Sequence, residues 1–129
     1  MKIQMAYKFT GEDSVKLIEE LKKIVSIFEG NGHLVYCPVL NPDRPKDKKA
    51  LFFDTLKRLE DTDAIFALIK SDTRSEGMLM EIGHAWGMGK KLIVAINKGV
   101  ENTHFREFAD VVIDFENMEE LYEKLEGVR

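Results

Sequence analysis

The chain has 129 residues, with 19 basic and 23 acidic side chains and a net charge of −4. That length suits one domain, 1–129, built on one core, and 44% hydrophobic beside 33% charged residues excludes a disordered chain. The acidic balance disfavours a nucleic-acid partner; no apolar run reaches membrane-spanning length, and the N-terminus lacks the apolar region of a signal peptide.

Residues 2–7 (KIQMAY) are short and apolar and read as a first strand. A polar turn, 8–14 (KFTGEDS), follows, and Asp13 or Ser14 can cap a helix. Val15, Leu17, Ile18, Leu21, Ile24, Val25 and Phe28 then recur at helical spacing, until Gly30-Asn31-Gly32 stops the run. His33 to Cys37 reads as strand two. Cys37, the single cysteine, has no partner for an internal disulfide, which points to a reducing, cytoplasmic setting and a structural role. Residues 38–49 hold all three prolines and read as a loop, and 50–60 as a second helix. Residues 63–69 (DAIFALI) and 91–96 (KLIVAI) are nearly continuous apolar runs, as in strands buried on both faces. Between them a third helix begins near Ser75. One or two helical turns are expected in 101–108, a fifth strand in 110–115, and a last helix in 117–125 capped by Asn117.

Strands and helices therefore alternate throughout. Such a chain folds as an α/β, flavodoxin-like three-layer sandwich: a five-stranded parallel sheet, order 2-1-3-4-5, between two layers of helices. Ligands in this architecture sit at the carboxyl ends of the strands, near the switch between strands one and three. The segments expected there are 8–14, 70–77 and 97–104.

The third helix, 75–89 (SEGMLMEIGHAWGMG), is the unusual one. From Gly77 to Gly89 only Glu81 and His84 are ionisable. A carboxylate in such company is either a structural ion, paired with a Lys or Arg from another element, or a chemical tool. Gly77, one turn before it, leaves room for a substrate. Ser75, Glu76 and Gly77 open the helix at the ligand end, where free N–H groups and the helix dipole favour an anion such as phosphate. Thr10-Gly11 follows strand one, where phosphate-binding turns often occur. Asp54 lies in the second helix, facing either the site or solvent; Asp61 and Asp63 read as charged punctuation before a buried strand. His33 and His104 lack partners at metal-ligand spacing, so neither a metal site nor a cofactor is expected. Met78, Trp86 and Met88, if exposed, need cover.

Ser75 to Ala85 (SEGMLMEIGHA), followed by Gly89-Lys90-Lys91 and an apolar strand, resembles the signature of the nucleoside 2-deoxyribosyltransferase superfamily, which includes 2'-deoxynucleoside 5'-phosphate N-hydrolases. The resemblance implies the fold derived above, usually assembled as a homodimer or larger. It implies a small-molecule nucleoside or nucleotide partner and cleavage or transfer of an N-glycosidic bond. By the same resemblance Glu81 is the nucleophile and Ser75 a phosphate contact. Asp54 handles a sugar hydroxyl and a proton, and Thr103 reaches a neighbouring subunit's site. Two positions depart from the pattern. Tyr7 stands where a Gly is common, with Gln4 near the usual Tyr position, and Leu79 replaces the second Gly of a Gly-x-Gly. The segment 6–13 (AYKFTGED) also looks faintly like the opening of TIR-like domains, which makes an NAD-cleaving or non-catalytic nucleotide-binding module the rival reading.

Overall fold

Two full-width apolar strands lie at the centre of the sheet, and everything else is arranged around them. The computed structural model describes residues 1–128. Its strands are β1 (Lys2–Tyr7), β2 (Leu34–Tyr36), β3 (Ala64–Ile69), β4 (Lys91–Asn97) and β5 (Val111–Phe115). Its helices are α1 (Ser14–Gly30), α2 (Lys48–Leu59), α3 (Glu76–Gly87), α4 (Phe105–Phe108) and α5 (Met118–Leu125), with a single 3₁₀ turn at Pro38–Leu40. The sheet runs β2-β1-β3-β4-β5 and every pairing is parallel, as the alternation of elements requires.

Side chains alternate across the central strands and build two cores. Ala64, Phe66 and Leu68 of β3 and Ile93 and Ala95 of β4 face α1 and α5, where they meet Leu17, Leu21, Ile24, Phe28, Leu121 and Leu125. Ile65, Ala67, Ile69, Leu92, Val94 and Ile96 face the other way, onto Leu59 of α2 and Met78, Ile82 and Ala85 of α3. Each long helix starts on a side-chain cap. Asp13 accepts from the Lys16 N–H, Asp47 from Ala50, Ser75 from Met78 and Asn117 from Glu120. At the other end of α1, Asn31 Nδ2 reaches the carbonyls of Leu125, Glu126 and Val128 and ties that turn to the C-terminal helix.

Several boundaries differ from the sequence reading. β2 is only three residues long, because His33 turns inward instead. Its ring packs edge-on against Phe28, and its Nδ1 meets the N-terminal ammonium at 3.0 Å. The second helix starts earlier, at Lys48, because Asp47 provides the cap. Asp63 and Asp110 sit before their strands, each accepting a backbone N–H from a neighbouring strand, Lys2 and Leu92 respectively. The helix in 101–108 is confined to Phe105–Phe108. Met78, which would need cover if exposed, is buried in the core, since it lies on the same helical face as Ile82 and Ala85.

Candidate active site

β1 and β3 end side by side, and their chain directions diverge there: β1 feeds α1 on one face and β3 feeds α3 on the other. This leaves a small crevice at the strand ends. Its walls include Tyr7 and Lys8 after β1, Glu12 from the following turn, Lys70, Ser71 and Thr73 after β3, and Met78 of α3.

The polar groups of the crevice are tied across the two loops. Lys8 Nζ donates to Thr73 Oγ1 at 3.2 Å, and that hydroxyl lies 2.8 Å from Ser71 Oγ. Lys70 Nζ donates to Glu20 Oε1 at 2.7 Å, where the Glu20 carboxylate is buried on α1. Gly11 takes a left-handed φ of 84°, which closes the turn above Lys8 without a side chain in the way. On the far side, Arg74 Nη2 donates to the Asn102 carbonyl at 2.7 Å and so fastens the loop after β3 to the loop after β4.

Tyr7 fills the end of β1. Its phenol oxygen accepts the Val39 N–H at 2.9 Å, beside the Cys37 thiol. Burial raises the phenol pKa far above its ordinary value; the neighbouring Cys37 and, more weakly, the Glu81 carboxylate add to the rise, while the Val39 bond opposes it. Tyr7 is therefore neutral. Burial likewise pushes the Cys37 thiol up to about 11, which makes it a poor nucleophile and bears on its structural reading.

Glu81 projects from α3 on the flank that also carries Gly77 and His84. Among the described residues its carboxylate makes no ion pair and accepts no hydrogen bond. Burial alone lifts its pKa from 4.5 to about 7. The alternative of a structural ion paired with a Lys or Arg finds no partner among the described residues. At the helix start the Met78 N–H donates to Ser75 Oγ and the Leu79 N–H to the Ser75 carbonyl. The space expected beside Gly77 is taken by Phe52 of α2. A Cβ at Gly77 would lie 2.8 Å from Phe52 Cζ, so it is the aromatic ring, not open solvent, that glycine admits.

The other candidates divide. Asp54 is held by Arg58, one turn along its own helix, at 2.9 Å, and the Arg58 guanidinium stacks over Tyr36 at 4.2 Å. Ser75 Oγ accepts from the Met78 N–H. Thr103 Oγ1 accepts from Phe105 N–H and starts α4. Of the residues singled out from the sequence, Tyr7 lines the crevice, and Glu81 is felt electrostatically at its phenol. Thr10, Gly11, Ser75, Gly77, Thr103 and Asp54 lie outside the crevice lining. Lys8, Lys70, Ser71 and Thr73 were not singled out. The signal was present: each follows the end of a strand on either side of the switch point.

The nucleoside 2-deoxyribosyltransferase family profile matches residues 9–119. The chain belongs to this family. Its members are enzymes that transfer or cleave the glycosidic bond of nucleosides or nucleotides. Comparison with solved structures agrees on the fold. The CMP N-glycosidase BcmB of Clostridium botulinum superposes with a TM-score of 0.72 at 18% identity, covering 97% of each chain. A 2-deoxyribosyltransferase of Bacillus psychrosaccharolyticus gives 0.68 at 19% identity, covering 100% of this chain and 93% of its own. One from Leishmania mexicana gives 0.67 at 14% identity, covering 99% of each. A search of curated proteins by sequence finds no match. Among the described residues no helix is long and apolar enough to cross a membrane, and no group of His, Cys, Asp or Glu is arranged to hold a metal ion.

Proposed function

We propose that the protein cleaves or transfers the N-glycosidic bond of a (deoxy)nucleoside or nucleoside 5'-monophosphate, with Glu81 as the nucleophile. One observation carries this reading: Glu81 is a half-buried carboxylate on an apolar helix, unengaged by any partner among the described residues, beside the ligand-end tyrosine. A structural carboxylate at such depth would be paired.

In this reading a Glu81 oxygen attacks C1' of the sugar as the C1'–N bond breaks through an oxocarbenium-like transition state. The bonding pair leaves with the base, which takes up a proton. A covalent sugar–Glu81 ester remains, and water or a second base then attacks C1' and returns the carboxylate. Water gives a hydrolase and a second base gives a transferase. Asp54 contacts the sugar hydroxyl and handles the proton, which requires it to share or exchange its bond to Arg58. Ser75 and the Thr10-Gly11 turn receive the 5' phosphate, with Tyr7 and the Phe52 ring that Gly77 admits shaping the space around the sugar, and Thr103 serves the site of a neighbouring copy.

The test is base release, followed by chromatography, from a panel of nucleosides, deoxynucleosides and their 5'-monophosphates, with NAD alongside. Glu81→Gln should fold and lose at least ~10³-fold in kcat/KM, as removal of a covalent nucleophile does. Because only the carboxylate attacks, wild-type kcat/KM should fall about tenfold per unit as the pH drops below about 7. Undiminished base release by Glu81→Gln would remove Glu81 from the mechanism.

A further inference from the structure

Phe52, Leu56 and Leu59 share one flank of α2 by their helical spacing. Leu59 is fully buried, and Leu56 packs against the core between the sheet and α3. Phe52 continues that flank toward the ligand end, yet 38% of it is exposed. The ring has run past the edge of the core, and its seat there is Gly77. A Cβ at Gly77 would lie 2.8 Å from Phe52 Cζ and 3.2 Å from Cε1, so only a glycine lets the ring edge come so close. Among the described residues no other aromatic ring stacks on Phe52 and no cation lies over it. The next residue differs. Phe53 is turned about 100° round the helix, and Lys49 Nζ lies 5.9 Å from its ring centre.

We propose, resting on the reading of Glu81 as nucleophile, that Phe52 is the platform on which the base of the substrate stacks, and that Gly77 holds the platform in place. The position fits. Gly77 lies one turn, about 5.4 Å, before Glu81 on the same flank of α3, so the seated ring stands beside the nucleophile toward the helix start. In an in-line displacement the base leaves from the side of C1' turned away from the attacking oxygen. With Glu81 set back along the helix, that side opens toward the loops, where Phe52 is.

The chemistry and the size fit as well. A nucleobase is flat and offers a π face, and Phe52 is the aromatic beside Glu81 whose own π system has no partner. An aromatic side chain of about 200 Å² that is 38% exposed leaves on the order of 75 Å² open, about what one face of a six-membered ring covers. The seat at Gly77 also fixes the ring before the substrate arrives, so little side-chain freedom is lost on binding. Stacking grips the leaving group without engaging the bond that breaks.

The experiment is calorimetric titration of dCMP, dAMP and the base-free 2-deoxyribose 5-phosphate into Glu81→Gln, in which the glycosidic bond survives. The same titrations are run with Phe52→Leu, Gly77→Ala or Phe53→Ala added. Phe52→Leu keeps apolar bulk but removes the π face, and Gly77→Ala keeps the ring but drives it from its seat. Each should weaken nucleotide binding by about 10-fold or more, the scale of one lost base–aromatic stack. Neither should change the affinity for the sugar phosphate, and Phe53→Ala should match its parent for all three ligands. Nucleotide affinity that ignores Phe52→Leu overturns the inference. So does an equal loss for nucleotide and sugar phosphate, which marks a structural role, or a parent that binds neither nucleotide. Failure of Glu81 as nucleophile reads differently: Glu81→Gln would then release base, while the effect of Phe52→Leu on nucleotide binding would stand.

Discussion

Replacing Glu81 by Gln should change the pH dependence of folding stability, whatever it does to turnover. The carboxyl has an ordinary pKa of 4.5 and one of about 7 in the fold, raised by burial. Below pH 4.5 it is protonated in both states and contributes no difference. Between pH 4.5 and about 7 the unfolded chain releases the proton while the folded chain keeps it. Stability therefore falls as the pH rises through that window and levels off above it. At about 1.36 kcal/mol per unit, the separation amounts to ~3 kcal/mol, an upper figure because the carboxylate keeps some access to water. Gln has no proton to release, so the term vanishes in the variant. Urea denaturation of both proteins at one concentration, at several pH values from 4.5 to 8, measures it. The stability of Glu81→Gln relative to wild type should climb by about 2–3 kcal/mol across the series, a midpoint difference on the order of 1–2 M. All other titrating groups are common to both chains and cancel. A difference that stays flat from pH 4.5 to 8 would falsify the placement of Glu81 as a desolvated, unpaired carboxylate.

Two further outcomes follow from the loops at the strand ends. Lys70→Met leaves the Glu20 carboxylate buried without its cation and should cost about 2–4 kcal/mol at pH 7 by denaturant titration, with most of the loss recovered in the Lys70→Met/Glu20→Gln double variant. Ser75→Ala removes the acceptor for the Met78 N–H and should cost ~1 kcal/mol, whereas Ser75→Asp keeps the cap but repels a phosphate. Thermal shift with a nucleoside and its 5'-monophosphate should then show Ser75→Asp losing response to the monophosphate alone.

The strand order could be read from the sequence because each apolar run is bounded by its own punctuation. The segment 63–69 has no polar residue after Asp63, so it had to be buried on both faces, and two such central strands with helices between them leave few topologies. Ser75 and Asn117 were legible as caps for the same local reason. What was not legible depends on contacts between distant segments. Nothing near Asp47 in sequence says that it, rather than a later residue, starts α2. Gly77 suggested an opening, but the space a glycine leaves is defined by what packs there, and Phe52 is 25 positions away along the chain. Glu81 stood out as an ionisable residue in an apolar helix. That it has no partner could be learned only from the surrounding elements. The crevice residues Lys8 and Thr73 are unremarkable singly and become a pair only when β1 and β3 are adjacent.

That adjacency has a bearing on how the chain is made. β1 leaves the ribosome before its full-length neighbour, which, through pairs such as Ile3 with Ala64, is synthesised some sixty residues later. In the interval its only available partner is β2, which covers three positions, Lys2 to Gln4. Met5, Ala6 and Tyr7 therefore wait with bare backbone on both edges, in a nascent chain whose most apolar strands have not yet appeared. Gln4 before that stretch and Lys8 after it flank it with polar groups. In the finished fold Gln4 is 1% exposed and donates to the Thr55 carbonyl of α2. The one polar side chain buried within β1 thus joins that strand to α2 once the sheet is complete.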